Sequence, residues 1–314
     1  MFYVFYYSIF YLFIIYQFYY LFIYLFIYLL INFIYNYSMV EAPRIRILYD
    51  NIKNFKNKTI LEASGSSYKK FNIDLTNFII KKWWFCGKYI FAQVQLKKIK
   101  FVIRTHMLMY GSIHIVNTDI NTVIRNPFLK LVIDNGVQLI WIYSQINILD
   151  PNNHNDQIKS NYAVLSSYQT IINSIQMRTY DISHPKFNFK LMVERLNKYV
   201  NDYVNDYQLI SLVDFLLDQF LFPGVGNILQ QEALYACKLN PVTLVSNIDA
   251  DTVSLLVKNL HRIISSIMTS YLKGEKYSLS IYHKKYCPLG HKTITKYLGM
   301  KNRRTTWCPQ CQQY

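Results

Sequence analysis

The chain has 314 residues and carries 34 Lys and Arg against 18 Asp and Glu, a formal net charge of +16. That length allows two medium domains and a small appendage, and a body this basic points to polyanions rather than to basic or neutral partners. Five cysteines in so long a chain exclude a disulfide-stapled scaffold and agree with an intracellular protein.

The charge is unevenly placed. Residues 1–40 contain no charged side chain and are built mostly from Phe, Tyr, Ile and Leu; the first charge is Glu41. The segment 1–38 exceeds the about 20 apolar residues that a membrane crossing needs. It lacks the basic start and small-residue cleavage site of a secretory signal, and Tyr favours the membrane interface over its centre. Two readings stand. Either this is upstream sequence of an AT-rich gene, with the working start at Met39, or it is a membrane anchor.

From 39 to 150 the pattern is strand-like, after one opening helix over Pro43 to Asn54 with Ile45, Leu48 and Ile52 on one side. Thr59-Ile60-Leu61, Tyr89 to Val94, Lys100 to Ile103, Leu131 to Ile133 and Val137 to Trp141 read as short strands, and Asn135-Gly136 as a hairpin turn. Strands at this spacing predict a sandwich or barrel. The polar run Asp150 to Asp156 opens a linker or loop over 151–187. Over 188–275 the periodicity turns helical, as in Leu209, Leu212, Val213, Leu216, Leu217 and Val253, Leu256, Val257, Leu260. Within it, Pro223-Gly224-Val225-Gly226-Asn227 is a tight turn before a new helix. Such a turn aims backbone N–H groups at an anion, and Asn227 could cap the helix and donate to a phosphate. A Gly-x-Gly is equally a plain inter-helix turn.

The segment 276–314 carries the clearest chemistry. Cys287 and His291, with three residues between them, are answered by Cys308 and Cys311. Thiolates and an imidazole with no spare position make the ligand set of a closed, structural zinc site. Between the pairs, Thr293 to Leu298 reads as a strand, Gly299 to Asn302 as a turn and Arg303 to Trp307 as the returning strand, with Arg303 and Arg304 just past the tip.

These parts together resemble one family. Met39-Val40-Glu41-Ala42-Pro43-Arg44, Gly87-Lys88-Tyr89, Thr105-His106-Met107-Leu108-Met109-Tyr110-Gly111, Leu216 to Gln219 with Gly224 to Asn227, and Cys287 to Gln312 occur in the order of the formamidopyrimidine-DNA glycosylase and endonuclease VIII family. The Cys3His ligand set resembles its endonuclease VIII-like branch, in particular the endonuclease VIII-like proteins of giant DNA viruses. The resemblance implies an α+β fold: an N-terminal β-sandwich domain with flanking helices, then a helical domain with a helix–two-turn–helix and a zinc-finger hairpin. It also implies a monomer that binds damaged DNA without a small-molecule cofactor, in a nucleus or a cytoplasmic viral factory.

The implied activity is a DNA glycosylase and abasic-site lyase acting on oxidised bases, pyrimidines above all. Its nucleophile would be the α-amine of Val40. An α-amine has a pKa of about 7.7–8.0, so a useful fraction is neutral near pH 7, unlike a free lysine. By the same resemblance Glu41 is the general acid, Lys88 contacts phosphate and assists elimination, and Arg303 grips the phosphate beside the lesion. Met109 is the wedge that fills the void left by a flipped base. Gly224, Gly226, Asn227 and Arg304 complete the DNA-facing set. The chain departs from the family at Val40, where Pro is usual, at Ala42 for Gly, and at Arg44 for Glu. Were 1–38 retained, Val40 would supply only an amide nitrogen, and a non-catalytic zinc-finger binder would be left.

Overall fold

The structure, a computed structural model, describes residues 40–313 apart from 119–123, 125, 160–163 and 207–209. The leader 1–38 and Leu209 lie outside the described residues. Helix α1, Ala42–Ile52, starts with a proline in its first turn, where the missing N–H costs nothing. It buries Ala42, Pro43, Ile45, Leu48 and Ile52.

Eight strands follow: β1 Lys58–Ser64, β2 Ile79–Cys86, β3 Tyr89–Leu96, β4 Ile99–His106, β5 Ser112–Asn117, β6 Leu129–Ile133, β7 Val137–Ile142 and β8 Gln145–Leu149. They form one antiparallel ladder in the order β5-β7-β6-β1-β2-β3-β4-β8. The expected sandwich is thus a single sheet turned at β1. Lys58 and Thr59 pair with β2, whereas Ile60 to Ser64 pair with β6, across a register shift between Ile60 and Glu62. Such an irregularity bends a strand and lets its sheet fold over. Ile80, Trp83 and Phe85 of β2 then share a core with Leu129, Leu131, Leu139 and Trp141 of the other half, and the rings of Trp83 and Trp141 stack at 6.4 Å.

The segment 151–187 is more than a linker. After a short pairing of β9 Ile158–Lys159 with β10 Val164–Leu165, it holds α2, Ser167–Gln176, started by the Ser166 side chain accepting from the Gln169 N–H. This helix covers the outer sheet face: Ile171 packs with Trp84, Phe91, Val102 and Leu149, and Trp84 donates to Ser174 Oγ at 2.9 Å.

A second core belongs to helices α3 Phe189–Asp206, α4 Leu212–Leu217, α5 Asn227–Ala236 and α6 Ala250–Leu272. Met192, Leu196, Phe215, Leu216, Leu229, Ala233, Leu256 and Leu260 meet there. The chain ends in a hairpin of β11 Ile294–Leu298 and β12 Arg303–Trp307, paired from Ile294–Trp307 to Leu298–Arg303. Among the described residues no helix is long and apolar enough to cross a membrane.

Candidate active site and metal centre

The turn into α5 meets an anion, but the anion is the chain's own. Glu41 accepts from the N–H groups of Ile228 (2.8 Å) and Leu229 (3.0 Å), one to each carboxylate oxygen. A carboxylate here satisfies donors that a helix start leaves unpaired and lies at the positive end of the helix dipole. The next residue, Ala42, donates its N–H to Gly224 O at 2.9 Å. Gly226 has to be glycine because a Cβ would land on the Glu41 carboxylate; Gly224, at φ +88°, has its notional Cβ 2.6 Å from that of Ala42. Both glycines fit the turn closely around residues 41 and 42. For Asn227 only the expected capping role is corrected. The cap position is Gly226, and Asn227, one residue inside, donates from Nδ2 to Arg304 O at 2.9 Å.

Lys88 follows the β2–β3 turn. Gly87 has φ +58° and lies against Pro223 and Gly224. Its N–H donates to the buried Asp181 at 2.7 Å, and Asp181 also accepts from the N–H (2.9 Å) and hydroxyl (2.7 Å) of Ser183. Burial pushes Asp181 up to about 6. Burial likewise lowers the Lys88 pKa, and Arg303 and Lys301 lower it further while Glu41 opposes them. Glu41 is raised by burial against the pull of Lys88 and the α5 N–H groups. The structure therefore brings Lys88 within electrostatic reach of both Glu41 and Arg303. His106, at the end of β4, is held down to about 4 by burial, then by Lys88 and Arg104. Val40 precedes Glu41 with its side chain buried in the sheet core.

Met107 and Met109 part company at the tip after β4. Met107 is fully buried in the core, whereas Leu108, Met109 and Tyr110 are exposed, with Leu108 at φ +48°. Gly111 donates to Met107 O at 2.7 Å and has no room for a side chain against Tyr143 O. An apolar knuckle is left in solvent, supported from below.

The hairpin docks on the helices through buried polar groups. Gln231 donates to Arg304 O (3.1 Å) and accepts from the Thr306 N–H (2.8 Å). Glu232 accepts from the N–H groups of Ser280, Ile281 and Tyr282 at 2.8 to 2.9 Å. Asp214 accepts from the Met300 N–H at 2.9 Å, and Gln312 joins Cys308 to Leu239. Arg303 and Arg304 keep their side chains exposed. Among these fasteners Glu232 lies in the stretch Glu232-Ala233-Leu234 that resembles the family's helix–two-turn–helix, and Gln312 ends the finger; Gln231, Asp214 and Asp181 carry no motif. Gln231 is signalled only by the polar run Gln230-Gln231-Glu232 in a helix with no exposed face, as all three are buried.

The donor atoms of Cys287, His291, Cys308 and Cys311 lie within 4.8 Å of one another. Sγ of Cys287 and Cys311 are 3.9 Å apart and His291 Nδ1 is 3.3 Å from Cys311 Sγ. Tetrahedral zinc with Zn–S of about 2.3 Å separates its donors by roughly 3.8 Å. The residues fit the metal, and four protein donors leave it no open position for catalysis. The other two thiols, Cys86 and Cys237, are buried and pushed up, Cys237 to about 11, so they stay protonated and inert.

Fold, joint and finger define a class: the chain belongs to the formamidopyrimidine-DNA glycosylase and endonuclease VIII family of DNA-repair glycosylases. Residues 181–279 match the family described as formamidopyrimidine-DNA glycosylase H2TH domain. Among individual relatives, the chain is 46% identical over 280 residues to Endonuclease 8-like L720 of Acanthamoeba polyphaga mimivirus, covering 87% of this chain and all of that protein. Human Endonuclease 8-like 2 is 35% identical over 100 residues, 31% of this chain and 30% of its own length. A crystal structure of a viral DNA glycosylase superposes with a TM-score of 0.81 at 45% identity, over 87% of this chain and all of that one. Lactococcus lactis Fpg, solved with DNA containing an oxidised pyrimidine, shares the fold at 17% identity and a TM-score of 0.64, over 87% of this chain and all of its own.

Proposed function

We propose that the protein is a bifunctional glycosylase and abasic-site lyase that removes oxidised bases, pyrimidines above all, from DNA. The amine of Val40, once it stands first in the finished chain, attacks C1′ of the deoxyribose. The N-glycosidic bond breaks and the base departs with its electron pair. Glu41 supplies a proton to the ring oxygen as the sugar opens, leaving an iminium that joins Val40 to C1′. Loss of a C2′ proton expels the 3′ phosphate, with Lys88 assisting the proton transfer, and a second elimination releases the 5′ phosphate held by Arg303. Zinc, held by Cys287, His291, Cys308 and Cys311, keeps the hairpin that presents Arg303 and Arg304 in shape. Met109 enters the stack where the flipped base leaves a void.

The observation that carries this reading is the convergence of Glu41, Lys88 and Arg303 from three distant parts of the chain. A raised carboxyl beside a lowered ammonium suits proton transfer near neutral pH. The net charge and the exposed Arg303 and Arg304 suit a DNA partner.

The test is borohydride trapping. Protein beginning at Val40 forms a stable covalent adduct with abasic-site or oxidised-pyrimidine DNA, and a peptide map of the adduct ends at Val40. Acetylating that amine removes the adduct, and Glu41→Gln abolishes base release while DNA binding persists. If the protein isolated from its own host keeps residues 1–38, or the adduct forms elsewhere, the assignment fails and the zinc-finger binder is left.

A further inference from the structure

Beside the lesion site lies a second cleft whose lining is unusual. It has a volume of about 750 Å³ and runs between the outer sheet face, α2 and the helical core. That volume falls in the roughly 300–1,000 Å³ range of small-molecule sites. Lys88, Arg104 and Arg195 line it, with no Asp or Glu among the described lining residues. Arg104 is only 4% exposed, stacks over the Tyr89 ring at 4.4 Å, and makes neither a hydrogen bond nor an ion pair with any described residue. A guanidinium that opens onto the cleft without a protein acceptor has donors free to take one from a ligand.

Another part of the lining is a stack. The Arg195 guanidinium lies between the rings of Tyr180 (4.4 Å) and Phe220 (4.3 Å). Phe220 is 61% exposed although one face is covered by Arg195, so its other face is open. A flat ring placed there extends the stack. A cation with donors open to the cleft and an aromatic platform with a free face, both lining one cleft, match a phosphate joined to a heteroaromatic ring. We propose that this cleft binds a nucleoside monophosphate unit, its phosphate on Arg104 and its base on Phe220. The same chemistry is offered by a free mononucleotide and by the terminal nucleotide of a strand.

The test is equilibrium binding to the zinc-loaded protein, using dAMP, deoxyadenosine and a 5′-phosphorylated trinucleotide. Expected are dAMP binding at least about tenfold tighter than deoxyadenosine, and loss of roughly tenfold on Phe220→Ala, in line with one stacked base. Arg104→Gln should bring dAMP down to the affinity of deoxyadenosine. Should that variant misfold, Arg195→Gln, which weakens the Phe220 platform, reports on the same cleft. Equal affinity for dAMP and trinucleotide assigns the site to the free ligand, and preference for the trinucleotide assigns it to a strand end. Nucleotide binding unchanged by Phe220→Ala and lost in Arg304→Ala would put the ligand on the hairpin and overturn the proposal, as would equal binding of dAMP and deoxyadenosine. None of these measurements uses lesion DNA or the Val40 amine, so their failure is separable from failure of the lyase reading.

Discussion

Helix α5 is gripped from two sides, and the grips differ in kind. At its first turn it receives Glu41 from the sheet domain, on the N–H groups of Ile228 and Leu229. From its flank it sends Gln231 and Glu232 to the finger, where Glu232 takes three successive N–H groups. Both grips bury a carboxylate on backbone donors. The first sits among groups whose proton affinities are perturbed, Glu41 and Asp181 raised and Lys88 and His106 lowered. The second is closed by a metal-ligand set that fixes its geometry. One joint gathers groups whose proton affinities are shifted, as the proposed chemistry requires, and the other holds a shape.

Breaking the second joint at the metal has the largest effect. Cys308→Ser, or stripping zinc with a chelator, removes a ligand that is fully buried. Structural zinc contributes about 10–16 kcal/mol to the folding of such units. The hairpin should lose order and metal content should fall from about one ion per chain to near zero, while the sheet domain stays folded. Metal analysis with hydrogen exchange of β11 and β12 checks it, and a hairpin still protected without metal would refute it. Glu232→Ala is the smaller cut at the same joint. It leaves the N–H groups of Ser280, Ile281 and Tyr282 without their acceptor, a loss of about 3–5 kcal/mol at roughly 1–3 for each buried donor after partial rehydration. Denaturant titration should show it together with loosened DNA binding.

The two joints were unequally legible in the sequence. The finger was readable to within a residue, its four candidate ligands gathered and its hairpin in place, because metal ligands need fixed spacings and a hairpin needs a turn. Helix α1 was readable from Ile45, Leu48 and Ile52. Strand β2 was not, since Trp83 faces one core and Trp84 the other, which erases the alternation that marks a half-buried strand. The Gly224 and Gly226 turn was visible as a turn, but its anion was not. Local sequence cannot say that the carboxylate filling a helix start comes from a residue about 190 positions earlier. Asp181 was hidden for the same reason: its acceptor role is defined by Gly87, on another element.

Titration sharpens the contrast at the first joint. Asp181 has a folded pKa near 6 against an ordinary 3.8. Between those values the folded state holds more protons there than the unfolded one, so this group's contribution to stability falls as pH rises and is level above about 6. The drop is at most about 3 kcal/mol. His106 and His184 act oppositely. Each is held down to about 4 from 6.5, so the unfolded state binds more protons across that window and stability rises with pH. The terms mask each other in the native protein. Asp181→Asn removes only the falling one, so the stability of the native protein relative to the variant should fall from pH 4 to pH 7. Denaturant titrations at three pH values measure it, and a gap that does not move with pH would show that Asp181 carries no such shift.

The smallest effect separates space from backbone at the two joints. Gly226→Ala adds a methyl where the Glu41 carboxylate already sits. Glu41 must move off Ile228 and Leu229, at about 1–3 kcal/mol of overpacking. Gly290→Ala adds the same methyl in the finger, where nothing lies within 4 Å, and suffers only from its φ of +81°, about 1–2 kcal/mol of left-handed backbone. Comparable losses of stability should therefore part in function. The Gly226 variant keeps its zinc and its grip on DNA but loses base excision, because the displaced group is the proposed acid. The Gly290 variant keeps excision. Equal activity of the two variants at equal stability would mean that Glu41 acts only as a helix cap, and the first joint would then differ from the second in chemistry but not in purpose.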